Sequence, residues 1–419
     1  MADVRPLPAL HYNLDTVGSL GDVTAPPYDV IDAEQRAALL ARSPFNVVEI
    51  DLPQAGPGAD PYEHAAETID EWTLQEVLTQ DREPSLWALT QDYTAPDGAT
   101  HTRHGILARV GVEDYGPGRV RPHERTQPGP KLDRLNLTRA THHNLSPIFS
   151  LTSADAWPLV EPATEGEPWG EVTDDDGTVH RVWRITDPAV HEAVAERLAD
   201  AELLIADGHH RYETARAYRD EVGGEGAHNF SLMALTGLDD PGLTVFPTHR
   251  LVSGLAEDPT LQQRLGNGLR ELFETEEVDR DRLDPAGEEG VGVFGCFDSH
   301  HQRGFRLRLS DTAELDRRLA GKPEAYRRLD AVILEELVLK GILGMTEDDI
   351  AAKRGIGYAK SVPDSLALLD EGAYEVAFIL RPTPVEQVRE VAGTGETMPP
   401  KSTYFFPKLL SGLVFNPLD

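Results

Sequence analysis

The chain has 419 residues, a formal net charge of −33 and a single cysteine. That charge argues against general affinity for nucleic-acid backbone, which needs lysine and arginine to neutralise phosphates. One cysteine excludes an intramolecular disulfide, and no apolar run approaches the roughly 20 residues of a membrane span, so cytoplasmic residence is the expectation.

Met1 to Pro6 lacks the basic and apolar regions of a signal peptide. Thr24-Ala25-Pro26-Pro27-Tyr28-Asp29-Val30-Ile31 is a stiff extended stretch, because each proline fixes its own φ and restrains the residue before it. It either presents Tyr28 and Asp29 to a ligand or covers a core edge. Asp32 then caps a helix from Ala33 to about Ala41, with Gln35 placed to complete a capping box. Asn46 to Pro53 reads as a strand, and Asp60-Pro61 opens a helix expected to reach Leu78. Leu86 to Tyr93 and His104 to Val110 read as a hairpin around a Pro96-Asp97-Gly98 turn.

The next stretch reverses the local charge. Arg121-Pro122-His123-Glu124-Arg125-Thr126 leads to Lys131-Leu132-Asp133-Arg134 on a helix that starts near Pro130 and runs to about Thr141. This is either a catalytic loop, with His123 or Glu124 as base and Arg125 or Lys131 on an anion, or an exposed turn of paired charges. Asn144 to Leu151 follows as a buried strand. After acidic loops come a strand over 179–185 and a helix from Asp187-Pro188 to Leu198.

Leu203-Leu204-Ile205-Ala206 is a short apolar run of buried-strand type, broken by Asp207-Gly208 and followed by His209-His210-Arg211 at the start of a helix. Such a strand, turn and helix points unpaired N–H groups and a partial positive charge at whatever sits beside Gly208. The alternative is a turn in which Arg211 pairs with Asp207 or Glu213. Phe230 to Thr236 is a further buried strand. From about Gly254 to Ile350 the pattern is a separate α/β unit, with helices near 260–274, 313–320 and 325–341 and strands near 291–297 and 304–309; Cys296 reads as a core residue. Strand 374–380 and helix 384–391 precede the last cluster, Glu396-Thr397-Met398-Pro399-Pro400-Lys401-Ser402-Thr403 through Lys408. Lysine occurs at seven positions only (131, 322, 340, 353, 360, 401 and 408), so two within one proline-stiffened loop suggest a phosphate held by Lys401 and Lys408, with Ser402 and Thr403 donating. The competing reading is a C-terminal strand that locks the fold.

Gly208-His209-His210-Arg211 resembles the phosphate-binding turn of the ParB/sulfiredoxin superfamily. The cysteine that sulfiredoxins carry at the position of His209 is absent, which excludes sulfinic-acid repair. Three stretches (the Pro-Pro-Tyr-Asp loop, residues 119–151 and residues 395–408) resemble the hallmarks of the DUF1015 family, and that resemblance spans nearly the whole chain. The expected fold is α/β (α+β): a ParB/sulfiredoxin-like part with inserted hairpins over 1–225 and a C-terminal α/β domain over 226–419.

The superfamily includes free-serine kinases. The resemblance therefore implies an enzyme that binds ATP, ADP or CTP with Mg²⁺, most concretely a small-molecule phosphotransferase. Glu124, His123 or Asp207 would act in catalysis, while Gly208, His209, His210, Arg211, Arg125, Lys131, Lys401, Ser402, Thr403 and Lys408 would bind the nucleotide. Two alternatives are a non-catalytic nucleotide-sensing module and a metal-dependent hydrolase using His123, His209 and His210. The expected partners are a small-molecule substrate and a second copy of the chain, with no membrane and no metal site. The three charged clusters are expected to meet in space.

Overall fold

The computed structural model describes residues 2–95, 98–124, 126 and 128–419. It is a mixed α/β protein of two compact units. One comprises Met1–Pro122, Thr126–Thr244 and Pro407–Asp419, the other His123–Arg125 and Val245–Phe406.

The first unit is built on a nine-stranded mixed sheet. Its strands are β1 (Val4–Arg5), β2 (Leu86–Thr94), β3 (Thr100–Gly111), β4 (Val120–Arg121), β5 (Ile148–Thr152), β6 (Gly170–Thr173), β7 (Val179–Ile185), β8 (Leu203–Asp207) and β9 (Phe230–Gly237). The order is β4-β8-β5-β9-β3-β2-β7-β6, with β1 added beside β3. The pairs β4/β8 and β5/β9 are parallel and the others antiparallel. One sheet face carries Ala88, Ile106, Ile148, Trp183, Leu203, Ile205, Met233 and Leu235 into a continuous core.

Five longer helices belong to this unit: α1 (Ala33–Arg42), α2 (Pro61–Leu74), α3 (Pro128–Thr141), α4 (Pro188–Leu198) and α5 (His209–Val222). α1 starts where the side-chain chemistry directs: Asp32 accepts from the Glu34 and Gln35 N–H groups, and Gln35 returns a bond to the Asp32 N–H. α4 opens likewise on Asp187 and Pro188. Val194 and Leu198 of α4, with Tyr212 and Ala215 of α5, cover the apolar face of the sheet.

Three expectations are corrected here. Residues 46–53 are not a strand; Val48–Asp51 is a helical turn. Asn46 is buried and spends its side-chain amide on the Asp22 and Thr24 carbonyls, while its Oδ1 accepts from the Val48 N–H, so the backbone curls away from any sheet partner. α2 stops at Leu74 because Glu76 takes a left-handed φ of 56°, and Leu78 instead begins a short strand paired with Leu10–Tyr12. The run 144–151 is divided: His143–Asn144 pairs with Asn416–Pro417, and β5 begins only after Pro147. The expected Pro96-Asp97-Gly98 turn lies partly outside the described residues.

The second unit holds a six-stranded antiparallel sheet of β10 (His249–Val252), β11 (Phe273–Val278), β12 (Val293–Asp298), β13 (Arg303–Leu309), β14 (Ile356–Ala359) and β15 (Val376–Ile379), in the order β11-β13-β12-β15-β10-β14. Its helices include α6 (Pro259–Leu272), α7 (Val362–Asp370) and α8 (Val385–Gly393). The continuous helix expected over 325–341 is instead two short turns, Glu324–Arg327 and Asp330–Ile333, running into a wide π-type segment over Leu334–Ile342. Cys296 is buried on β12, and burial pushes its thiol well above the usual range.

Candidate functional site in the first unit

Near its C-terminal end β8 sets one extra residue against its partner β5. Ile205 lies opposite Ser150 and Asp207 opposite Phe149, so Ala206 forms a bulge. The bulge turns Asp207 away from the core face that holds Leu203 and Ile205, onto the face of Phe149. Gly208 then adopts φ 93°, and α5 begins at His209. A Cβ on Gly208 would also come within 3.0 Å of Arg211 Nε and Nη2, because the guanidinium folds back over the turn. Gly208→Ala is therefore expected to cost about 1–3 kcal/mol in urea unfolding, from left-handed strain plus a displaced guanidinium. A loss below about 0.5 kcal/mol would show that the turn has no such constraint.

Two cations converge on Asp207. Lys408 Nζ lies 3.1 Å from Oδ1 and Arg211 Nη2 lies 3.2 Å from Oδ2. All three side chains are about four-fifths buried or more, with exposures of 21% for Asp207, 18% for Lys408 and 11% for Arg211. Burial opposes the charge on Asp207, but Lys408 and Arg211 outweigh it and hold the carboxyl well below its ordinary range. Arg211 Nη1 also donates to the Pro147 carbonyl, while its buried Nε has no hydrogen-bond partner among the described residues. His209 is buried and His210 half-buried on the first turn of α5. Lys131 stands on α3, 3.4 Å from Glu213 of α5.

The Lys408 main chain is fixed from the sheet. Arg103 on β3 is 1% exposed and stacks 4.3 Å over the Phe149 ring. Its Nε donates to Gln91 Oε1 at 3.0 Å and its Nη2 to the Pro407 carbonyl at 2.6 Å, while Nη1 has no partner among the described residues. Burial draws this guanidinium down to about 10, against Tyr93, Asp240 and Asp207. Gln91 donates to the Lys408 carbonyl at 3.0 Å and meets His180 Nδ1 at 3.1 Å; His180 Nε2 in turn meets Asp174 at 2.8 Å. Residues 407 and 408 are thus held by hydrogen bonds from β2 and β3, and Lys408 reaches Asp207 from a rigid base.

A second ionic group lies beside the first. Arg134 sits 4.2 Å over the Tyr28 ring and donates to the Asp51 carbonyl at 2.7 Å and to Asp51 Oδ1 at 3.0 Å. Asp51 Oδ2 accepts from Ser146 and Ser411, each at 3.1 Å. Burial pushes the Tyr28 hydroxyl up to about 12, opposed by the charges of Arg211 and Arg134. The Pro-Pro-Tyr-Asp loop, α3, the Asp207–Arg211 turn and the C-terminal segment therefore supply one continuous polar cluster. Tyr28 lies in it and Asp29 is exposed. Arg103, Gln91, Asp51, Arg134 and Ser411 were not among the expected site residues. Arg103 fell just before the strand expected from His104, and Asp51 was hidden in the run read as a strand.

The remaining expected residues belong to the second unit. His123 is buried, its Nε2 is 2.9 Å from Thr403 Oγ1, and its carbonyl accepts from the Met398 N–H at 2.7 Å. Glu124 forms a bridge with Met398. Ser402 Oγ donates to the Pro399 carbonyl at 2.7 Å, and Lys401 is exposed at a left-handed φ of 57°, its carbonyl held 3.1 Å from buried Arg250. The hydroxyls of Ser402 and Thr403 are therefore engaged within this unit. Arg125 lies outside the described residues.

A family model described as "Protein of unknown function (DUF1015)" matches residues 4–332. The chain belongs to this family. No curated protein matches it. Among solved structures, a conserved hypothetical protein from Pyrococcus furiosus is similar at 15% identity and a TM-score of 0.34, covering 72% of this chain and 90% of its own. A free serine kinase in complex with AMP is similar at 15% identity and a TM-score of 0.37, covering 75% and 91%. SbnI from Staphylococcus aureus, with a C-terminal truncation, is similar at 13% identity and a TM-score of 0.36, covering 73% and 85%. These likenesses are too slight to transfer an activity to a DUF1015 chain.

Proposed function

We propose that the Asp207–Arg211 turn and Lys408 bind the phosphates of a nucleotide (ATP, ADP or CTP) or of another phosphorylated small molecule, and that the chain acts as a small-molecule phosphotransferase. The observation that carries the reading is the pair of largely buried cations, Arg211 and Lys408, held on one carboxylate at the N-terminus of a fourteen-residue helix. Phosphoryl transfer needs charge neutralisation at the transferred group more than covalent chemistry from the protein. Arg211 and Lys408 supply it, and Asp207 keeps both aimed.

Asp207 serves in this reading as a counter-ion and not as the base. A carboxyl held so far below its usual range is a weak proton acceptor. Mg²⁺ would arrive with the nucleotide phosphates, since among the described residues no group of three or more His, Cys, Asp or Glu side chains could hold a metal ion.

Phosphorus NMR of the full chain with ATP and a panel of small hydroxylated metabolites tests the reading. A new phosphomonoester formed with ADP supports phosphotransfer. Saturable binding without any product makes the chain a nucleotide sensor, and no binding of ATP, ADP or CTP removes the proposal.

A further inference from the structure

In the second unit, α6 and the sheet beneath it enclose an open cavity of about 470 Å³. The register of the sheet explains its floor. Cys296 lies opposite Phe305, Phe294 opposite Leu307, and Asp298 opposite both Arg303 and Val376, so these side chains share one face. At one end of that face the Phe273 and Phe294 rings meet at 5.9 Å and fill the space. Phe305 and Val376 both line the cavity, and Phe305 remains only half-buried.

Two glycines in α6 weaken a helix that Leu261, Leu265 and Leu269 otherwise make amphipathic. Gly268 has a packing reason, since a Cβ there would come within 2.8 Å of Ile342. Gly266 has none of that kind. It lines the cavity, and a Cβ there would meet only the end of Arg270, at 3.4 Å. The missing side chain keeps the cavity open.

The charged rim is unequal. Asp298 is engaged by the His300 and His301 N–H groups and by His301 Nδ1 at 2.7 Å, and Arg303 is paired with Glu277. Arg270 donates to Asn267 Oδ1 at 2.9 Å and has no carboxylate partner among the described residues. A chain with 72 acidic and 39 basic residues thus leaves this guanidinium at the mouth of the recess without a counter-ion among the described residues.

We propose that this cavity is a ligand site separate from the nucleotide turn, and that it takes a small amphipathic carboxylate. The apolar body lies against Phe305, Leu307 and Val376, and the carboxylate meets Arg270. The volume lies within the range of about 300–1,000 Å³ typical of small-molecule sites, and a guanidinium–carboxylate pair over an apolar floor fixes one orientation.

Titration calorimetry of the full chain with octanoate and with 3-phenylpropionate tests this, the two acids separating an aliphatic from an aromatic body. At least one is expected to bind saturably at one site, with octylammonium showing no saturation. Arg270→Gln is expected to weaken that binding by roughly tenfold. Gly266→Leu fills the cavity while improving helix propensity, and is expected to abolish binding in a folded protein. Arg211→Ala leaves it unchanged. Absence of saturable binding by either acid, undiminished binding in Arg270→Gln, or unchanged binding in folded Gly266→Leu overturns the proposal.

Discussion

Asp207→Asn is expected to lower the stability of the chain by about 2–4 kcal/mol at neutral pH, read from denaturant midpoints. Removing one partner of a buried ion pair costs about 3–5 kcal/mol, because the charge left behind has no compensation. Here two cations are left, Arg211 at 11% and Lys408 at 18% exposure, while residual solvent at Asp207 moderates the penalty. Burial alone would raise the Asp207 carboxyl, and the net depression by Lys408 and Arg211 means that the folded state binds the proton less readily than the unfolded chain. The stabilisation is therefore complete above the unfolded carboxylate value of about 4 and is lost as the pH falls toward the depressed folded value. The gap between the native protein and Asp207→Asn should be widest near neutrality and should narrow below about pH 4. A gap that persists unchanged into acid would mean that the asparagine disturbs packing instead of charge.

The local signals in the sequence were strong where a single segment contains its own instructions. Asp32 with Gln35, Asp187 with Pro188, and the glycine after Asp207 each set an element boundary within a few residues. The candidate site was legible to the same extent: Asp207, Gly208 and Arg211 announce a strand, a left-handed turn and a helix N-terminus. What escaped was decided by partners far along the chain. Residues 46–53 alternate like a strand, but Asn46 bonds to the carbonyls of residues 22 and 24, and Asp51 is claimed by Arg134, Ser146 and Ser411. The bulge at Ala206 depends on β5, and the hold of Arg103 on Pro407 bridges some three hundred positions. No local periodicity records such pairings. The last cluster shows the limit most clearly: Lys408 joins Asp207 in the first unit, whereas Lys401, Ser402 and Thr403 belong to the second.

Arg211 is the residue on which the functional reading depends most. It makes the charge-assisted contact to Asp207, its Nη1 is used by the Pro147 carbonyl, and its buried Nε has no partner among the described residues. A phosphate at the α5 N-terminus would accept a charge-assisted hydrogen bond from this guanidinium. Hydrogen bonds to charged groups are worth about 1.5–3 kcal/mol, which corresponds to roughly 10–150-fold in affinity. Arg211→Ala also leaves Lys408 to neutralise Asp207 alone, so the turn loses its net positive character as well as one donor.

The deciding measurement is calorimetric titration of ADP into the native chain and into Arg211→Ala, with folding of both confirmed by thermal melts. Saturable binding to the native protein, weakened by roughly 10–150-fold in the variant, is the result expected if the turn holds phosphates. Equal ADP affinity in the two proteins would contradict it.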